Sequence, residues 1–408
     1  MIFIVQITQN HSHTAPLHMQ NLHKTRKERK VEMKRVFCTM LALLLCFALP
    51  LTAYAEVASE GVFTLAGTGS QGHAGGLDAM FNMPLGIAVQ TTEWETNILV
   101  ADTFNGMIRR LQVHNFWVSD FAGTLTDPGE DGFPLGGHRD DSVWNASFRR
   151  PAGIAVNPLG HVYVADAQNN AIRVIMGQNV FTAAGGLDEG FANGNGLDAL
   201  FSRPGAIAVC PSGNVYIADT GNHAIRMLDQ LGNVTTIAGV PGEHGYENGN
   251  AQNALFDSPM GIAVSQSGRV YVADTGNHVI RVIENGAVRT LAGSRLFFDE
   301  ENDDAYPIGG LTDGVASNSH FNGPMGLHLL DGVLLVADSG NHAIRAIANG
   351  RVFTFAGTGI PGYLDGRLDA ALFHSPGGVH VFGDLLLIAD TGNNKIRAIS
   401  LYEVLEPL

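Results

Sequence analysis

Six times along the chain one skeleton returns: Asp, Asn three residues on, Ile six on and Arg seven on. The copies are Asp102/Asn105/Ile108/Arg109, Asp166/Asn169/Ile172/Arg173, Asp219/Asn222/Ile225/Arg226, Asp274/Asn277/Ile280/Arg281, Asp338/Asn341/Ile344/Arg345 and Asp390/Asn393/Ile396/Arg397. Recurrence at this spacing implies one supersecondary unit copied around a symmetric assembly, not a domain built about a single centre. Six equivalent catalytic sites on one ring make little chemical sense. The recurring Asp and Arg residues are therefore read as a fastening, a partner pair tying strands or neighbouring blades.

Each copy also carries four short β-compatible runs. In the fourth copy these are Gly261–Val264, Val270–Ala273, Val279–Ile283 and Ala287–Ala292, separated by turn residues. Four such strands read as one antiparallel propeller blade. The skeleton lies on the hairpin between the second and third strands, where Gly221, Gly276, Gly340 and Gly392 are expected to supply a positive φ. Copies one and two have Phe104 and Gln168 there instead. Between blades runs a small residue, one residue, Phe, two residues and Pro, as in Ala199/Phe201/Pro204. This is read as a helical turn whose Phe plugs the gap between blades.

The last strand, Lys395 to Ser400, has no fourth strand after it, whereas Val62 to Gly67 matches the fourth strand of other copies. The N-terminal strand is thus expected to complete the last blade and remove the open sheet edges. The fold class is all-β, a six-bladed propeller of four-stranded antiparallel blades, comprising residues 56–408.

Residues 1–55 are set aside as an N-terminal extension and secretory signal. Lys34-Arg35, the apolar run from Val36 to Leu49 and Ala53-Tyr54-Ala55 have the expected order, with Met33 as the start. The run is short for a membrane span. The formal charge is −15, and residues 1–55 hold seven Lys/Arg against two Asp/Glu, leaving 17 basic and 37 acidic side chains, or −20. Such a surface repels nucleic acid and anionic membranes. The expected location is extracellular or in the cell envelope, as a monomer. Cys210 is the only cysteine left, so the core must hold without disulfides.

The phrases Val272-Ala273-Asp274-Thr275-Gly276-Asn277-His278 and Ile217-Ala218-Asp219-Thr220-Gly221-Asn222-His223 resemble the NHL repeat. The resemblance covers essentially the whole of residues 56–408 and implies a six-bladed propeller, of a type found in secreted bacterial members. NHL propellers serve as sensor ectodomains, adhesion modules and RNA-binding platforms. The six-bladed peptidyl-α-hydroxyglycine α-amidating lyase holds zinc with channel histidines, and gluconolactonase-like propellers use calcium.

Function is sought where the copies disagree. The innermost strands have Ala88, Ala155, Ala208 and Ala263 at the third position, replaced by His328 and His380 in copies five and six. Paired imidazoles near the axis read either as a zinc or ligand site or as space filling. His223, His278 and His342 share a turn position and are read as turn residues. Asp299, Glu301 and Asp303, in an enlarged loop, are candidate calcium ligands or simply a solvated acidic loop. A second enlarged loop, 124–147, carries Asp140, Asp141 and Trp144 as partner-binding candidates. Two functions remain open: a binding module for a protein, peptide or glycan through rim loops, and a metal-dependent lyase- or lactonase-like enzyme using the channel histidines.

Overall fold

The computed structural model describes residues 61–126, 134–297 and 307–401. The N-terminal 55 residues, Asp299, Glu301 and Asp303 lie outside the described residues. No described helix is long and apolar enough to cross a membrane.

Six antiparallel sheets succeed one another along the chain and each forms a blade. Within a blade the strands run in chain order from the axis outwards, as Ala206–Val209, Val215–Asp219, Ala224–Leu228 and Asn233–Ala238 do in blade three. Alternate residues of the second and third strands face the two neighbouring blades. Ile108, Ile172, Ile225, Ile280, Ile344 and Ile396 are fully buried, each in the apolar layer shared with the next blade. Ring closure occurs as the sequence implies. Gly61–Ala66 pairs antiparallel with Lys395–Ser400, so blade six is completed by the first described strand. Asn394 strengthens the seam, its Oδ1 accepting the Met83 N–H at 2.8 Å.

The blades exceed the expected four strands. In five of the six sheets, a two-residue strand from the preceding linker adds to the outer edge, for example Gly249–Asn250 against Ala287–Val288. In blade one a single bridge, Gly76 to Val118, takes its place. The fifth strand covers a fourth strand that would otherwise expose its unpaired backbone.

Two local expectations are corrected. The helical turn of the linker lies ahead of the small residue, as at Gly196–Asp198 and Ala316–Asn318, while Phe201, Phe256 and Phe373 form bridges in extended chain. The Phe nonetheless fills the blade interface, since Phe81, Phe148, Phe201, Phe256, Phe321 and Phe373 are at most 1% exposed. The hairpin Gly does not take positive φ. That conformation falls two residues later, on Gly106, Asn170, His223, His278, His342 and Asn394. Gly is required at 340 and 392 by proximity: a Cβ would lie 2.6 Å from Asn322 Cγ and 2.7 Å from the His374 carbonyl oxygen.

Candidate functional site

The repeated skeleton forms a buried clamp. Each Asp Oδ2 receives the Arg Nη1 of its own hairpin at 2.6–3.1 Å and the Asn Nδ2 at 2.8–2.9 Å. Its Oδ1 accepts a linker N–H just past the Phe, at 2.7–2.8 Å. Burial pushes Asp102, Asp166, Asp219, Asp274 and Asp338 up to about 6, against the opposing pull of their Arg and amide partners. Asp390 is raised for the same reason.

The expected Asp–Arg pair is present in every blade, and each guanidinium serves further partners besides. Arg109, Arg173, Arg226, Arg281, Arg345 and Arg397 are fully buried, so none is open to a ligand. The Nη1 of Arg109 donates to Asp102 at 3.1 Å and to the Met80 carbonyl at 3.2 Å. That of Arg281 reaches Asp274 at 2.7 Å and the Leu255 carbonyl at 3.0 Å. Arg345 binds Asp338 at 2.7 Å and the His320 carbonyl at 3.0 Å, and Arg397 binds Asp390 at 2.6 Å and the Leu372 carbonyl at 3.1 Å. Arg173 and Arg226 repeat the pattern on Asp166 and Asp219. Each Nη2 donates to a second linker carbonyl, and each guanidinium lies 5.0–5.7 Å from the linker Phe ring centroid. The Arg thus joins an incoming linker to the blade it opens; its carboxylate comes from its own hairpin and not from a neighbouring blade.

Every Arg also meets a linker or outer-strand side chain. Arg109 Nε lies 3.0 Å from Asp120, while Arg281 reaches Asn248 at 2.9 Å, Arg345 Asp313 at 2.7 Å and Arg397 Asp365 at 2.6 Å. Asn193 does this for Arg226, and Asp140 for Arg173. Asp140 Oδ1 accepts Arg173 Nη2 at 2.5 Å and Thr182 Oγ1 at 3.1 Å, and its Oδ2 accepts the Thr182 N–H at 2.9 Å. Asp140, a partner-binding candidate from the sequence, thus already serves its own blade, with 41% of its side chain left exposed. Asp141 accepts Arg139 Nη2 at 2.6 Å on the surface. Trp144 is exposed.

The turn residue after the Asn couples neighbouring blades. The Nδ1 atoms of His223, His278 and His342 accept the N–H groups of Ser258, Gly323 and Ser375 at 3.0, 2.8 and 3.0 Å. Asn170 does the same for Arg203 at 3.0 Å. Only an unprotonated Nδ1 can accept; in His278 the tautomer is fixed by Nε2–H donation to the Pro307 carbonyl at 3.1 Å. Between blades one and two the turn residue is Gly106, which has no side chain to play this part. There the Arg150 guanidinium lies 4.2 Å from the Phe104 ring centroid. The turn substitutions read in copies one and two thus include a joint of different chemistry.

Near the axis the inner strands approach so closely that side chains are excluded. A Cβ on Gly153 would meet Ala206 Cα at 2.6 Å and one on Gly326 the Gly377 carbonyl at 2.7 Å. The cavity bounded by this collar holds about 70 Å³, room for roughly two waters. Beyond the collar, two residues along their strands, lie His328 and His380. Their rings meet edge to face with centroids 4.8 Å apart. Burial lowers them to about 4 and about 3, with His328 further disfavouring charge on His380, so both are neutral at pH 7. No group of three or more His, Cys, Asp or Glu residues suited to a metal occurs among the described residues. Cross-strand register gives the pair a packing logic. Ala155, Ala208 and Ala263 face Tyr163, Tyr216 and Tyr271, whereas His328 and His380 face Leu335 and Leu387; blade one, with Ala88 facing Leu99, has no ring on either strand. The large ring has moved from the second strand to the first.

The remaining asymmetry lies on the rim formed by the turns between strands one and two and strands three and four. Four residues before the linker Phe, blades one to three expose Leu77 (67%), Trp144 (59%) and Leu197 (68%). The same position in blades four to six is Gln252, Ser317 and Asp369. Trp94 (91%) and Leu159 (79%) stand on first turns, Trp117 (50%) and Leu231 (84%) on last turns, again in blades one to three. All three tryptophans of the chain are thus on one rim of two adjacent blades. Opposite them the rim is charged, with Arg269 paired to Glu284 and Arg367 to Asp369. Val315 is the one exposed large apolar residue on that half of the rim among the described residues. Between blades two and three the apolar half opens into a cleft of about 500 Å³, walled by Leu159, Tyr163, Pro211 and Leu228 and edged by His161 and Gln230. Of the rim residues, loop length marks Trp144 alone; aligning the copies on the linker Phe places Leu77, Trp144 and Leu197 in one column.

The pattern described as the NHL repeat matches residues 148–175, 201–227 and 256–283. Sequence relatives include Protein SUPPRESSOR OF QUENCHING 1, chloroplastic, of Arabidopsis thaliana, 33% identical over 288 residues, 67% of this chain and 26% of that protein. NHL repeat-containing protein 2 of Bos taurus is 31% identical over 308 residues, 66% of this chain and 41% of that protein. The chain therefore spans well under half the length of these relatives. Among solved structures, an auxiliary nutrient binding protein from Bacteroides ovatus superposes with TM-score 0.60 at 18% identity, covering 83% of this chain and 76% of that one. A gluconolactonase from Xanthomonas campestris superposes with TM-score 0.50 at 13% identity, covering 85% and 92%. At such identities the likeness is one of fold.

Proposed function

Since this chain is an NHL-repeat six-bladed β-propeller, we propose that it works as a binding module, a rigid ring presenting one half of its turn-bearing rim to a protein, peptide or glycan ligand. The observation that carries the reading is the placement of Trp94, Trp117 and Trp144, all exposed, on one rim of adjacent blades. Burying such a side chain stabilises by about 1.5–3 kcal/mol, and clustered exposed aromatics mark interaction sites on soluble proteins. Export through the Lys34-Arg35 to Ala55 segment is part of the proposal, as is the monomeric state. Calcium is proposed as the candidate ion of Asp299, Glu301 and Asp303.

The test is a peptide and glycan array read with the wild type, a Trp94→Gln/Trp117→Gln/Trp144→Gln variant and a His328→Ala/His380→Ala variant. Ligands are expected to be lost by the tryptophan variant alone. Retention by that variant and loss by the histidine variant would overturn the reading in favour of the channel.

The enzymatic reading is supported by one observation, two neutral imidazoles 4.8 Å apart beside the axis. Zinc would find two nitrogen donors there, and a third protein donor is absent among the described residues. Elemental analysis of protein purified without added metal decides it: stoichiometric metal, lost with both histidines, would replace the binding reading.

A further inference from the structure

We infer that the apolar half of the rim takes a cationic amphipathic protein segment, its apolar face laid across blades one to three and its basic side chains reaching the acidic fringe. The inference rests on the proposed binding function and specifies the partner's chemistry. The apolar surface is supplied by Leu77, Trp144 and Leu197 at one repeated position and by Trp94, Leu159 and Leu231 on the turns. Carboxylates are interleaved with them in sequence. Asp78 follows Leu77, Asp198 follows Leu197, and Glu93 precedes Trp94; all three are exposed. The basic side chains of this rim half with an acidic neighbour are already engaged, Arg110 with Glu95 and Arg139 with Asp141.

Apolar area with an uncompensated negative border fits a partner that brings apolar anchors flanked by Lys or Arg. A second copy of this chain fits poorly. Self-association about a two-fold axis would set the same acidic fringes against each other in a chain of net charge −15. A neutral glycan would use the aromatic faces and donate hydroxyls to the carboxylates, but brings no charge to balance them.

Because every tryptophan of the chain lies on this surface, intrinsic fluorescence reports its occupancy directly. The full chain is titrated with an 18-residue amphipathic Leu/Lys peptide, with the same peptide carrying Glu for Lys, and with cellohexaose. The Lys peptide is expected to give a saturable blue shift that weakens as salt rises. Asp78→Asn/Glu93→Gln/Asp198→Asn should weaken it at least tenfold. Asp331→Asn/Asp369→Asn/Asp384→Asn, which removes as many carboxylates from the opposite half, should leave it within twofold.

Equal weakening by the two variants would show attraction to net charge alone and overturn the inference. So would an absent shift with the Lys peptide. An equal or stronger shift with the Glu peptide or cellohexaose would overturn the cationic partner while sustaining the rim as the binding surface. Sedimentation closes the remaining case: a concentration-dependent dimer abolished by Leu77→Gln/Leu197→Gln would put a second copy on this surface and overturn the inference.

Discussion

Blades one to three and blades four to six share their clamps but differ in what they show to solvent and in how they are joined. On the rim the first half carries Leu77, Trp144 and Leu197 where the second carries Gln252, Ser317 and Asp369. At the joints the first half uses Asn394, an Arg150–Phe104 stack and Asn170, whereas blades three to six are linked by His223, His278 and His342. The ring separates its duties by depth. Buried positions repeat because the same three side chains must meet the same linker backbone in each blade. Exposed turn positions answer to no such geometry and are free to diverge.

The largest effect should ignore the division into halves. Asp166→Ala and Asp338→Ala leave Arg173 and Arg345 buried without their hairpin carboxylates and should each destabilise by about 3–5 kcal/mol. Chemical denaturation measures both; a difference beyond about 1 kcal/mol would mean that the halves are not equally clamped.

Acid should separate the halves. Burial holds His223, His278 and His342 below the ordinary value of 6.5, against Asp257 near His223 and His278 and Asp390 near His342. His244, Arg295 and His374, beside His223, His278 and His342 respectively, oppose protonation. With folded pKa values depressed, their contribution is complete above 6.5 and is lost as pH falls below it toward the folded values. A triple His→Asn variant copies the acceptor of Asn170 and Asn394 without the titration. The two proteins should match at pH 7.5, and the variant should be the more stable at pH 5 by roughly 1–3 kcal/mol, about one hydrogen bond per joint. The clamp aspartates titrate in both and cancel in the difference. Parallel melting curves from pH 7.5 to 5 would remove the joints as the source of any acid sensitivity.

A smaller effect tests the channel pair. His328→Ala with Leu335→Tyr recreates the Ala–Tyr pairing of blades two to four and should cost under about 1.5 kcal/mol, as volume-conserving exchanges do. A thermal melt showing a much larger loss would mean that the imidazole makes an interaction beyond filling space. The smallest effect belongs to the apolar rim. Leu77→Gln, Trp144→Gln and Leu197→Gln should each change stability by no more than about 0.5 kcal/mol. A marked loss would make these residues structural rather than free for a partner.

Much of the architecture is legible in the chain. The repeat period, four short strands per copy and a displaced first strand suffice for six blades and for closure by Gly61–Ala66. The linker Phe is legible as an interface plug, but its conformation is not, because bridging to an earlier residue of its own linker holds it extended. Glycine misleads for a related reason. Gly340 and Gly392 are small because linker atoms press on them, and nothing within the hairpin itself records that approach. Asp140 looks like a loop carboxylate because its partner, Arg173, lies 33 residues away. Arg345 and Arg397 hide their third partners in the same way, with Asp313 and Asp365 each 32 residues distant.

Sequence alone determined the ring, since copies that cannot bury their two faces singly must stack and close. It also marked Asp, Asn and Arg as fastening, because only a repeated geometric duty explains a repeated triad. Tertiary structure decided which atoms meet. It placed each Arg on its own hairpin's Asp, turned three histidines into acceptors for the following blade, and brought His328 and His380 to 4.8 Å. It also gathered Leu77, Trp94, Trp117, Trp144 and Leu197, far apart along the chain, onto one half of one rim. Hydrogen bonds and apolar contacts act over a few ångströms in space, and closing a ring is what makes distant residues neighbours.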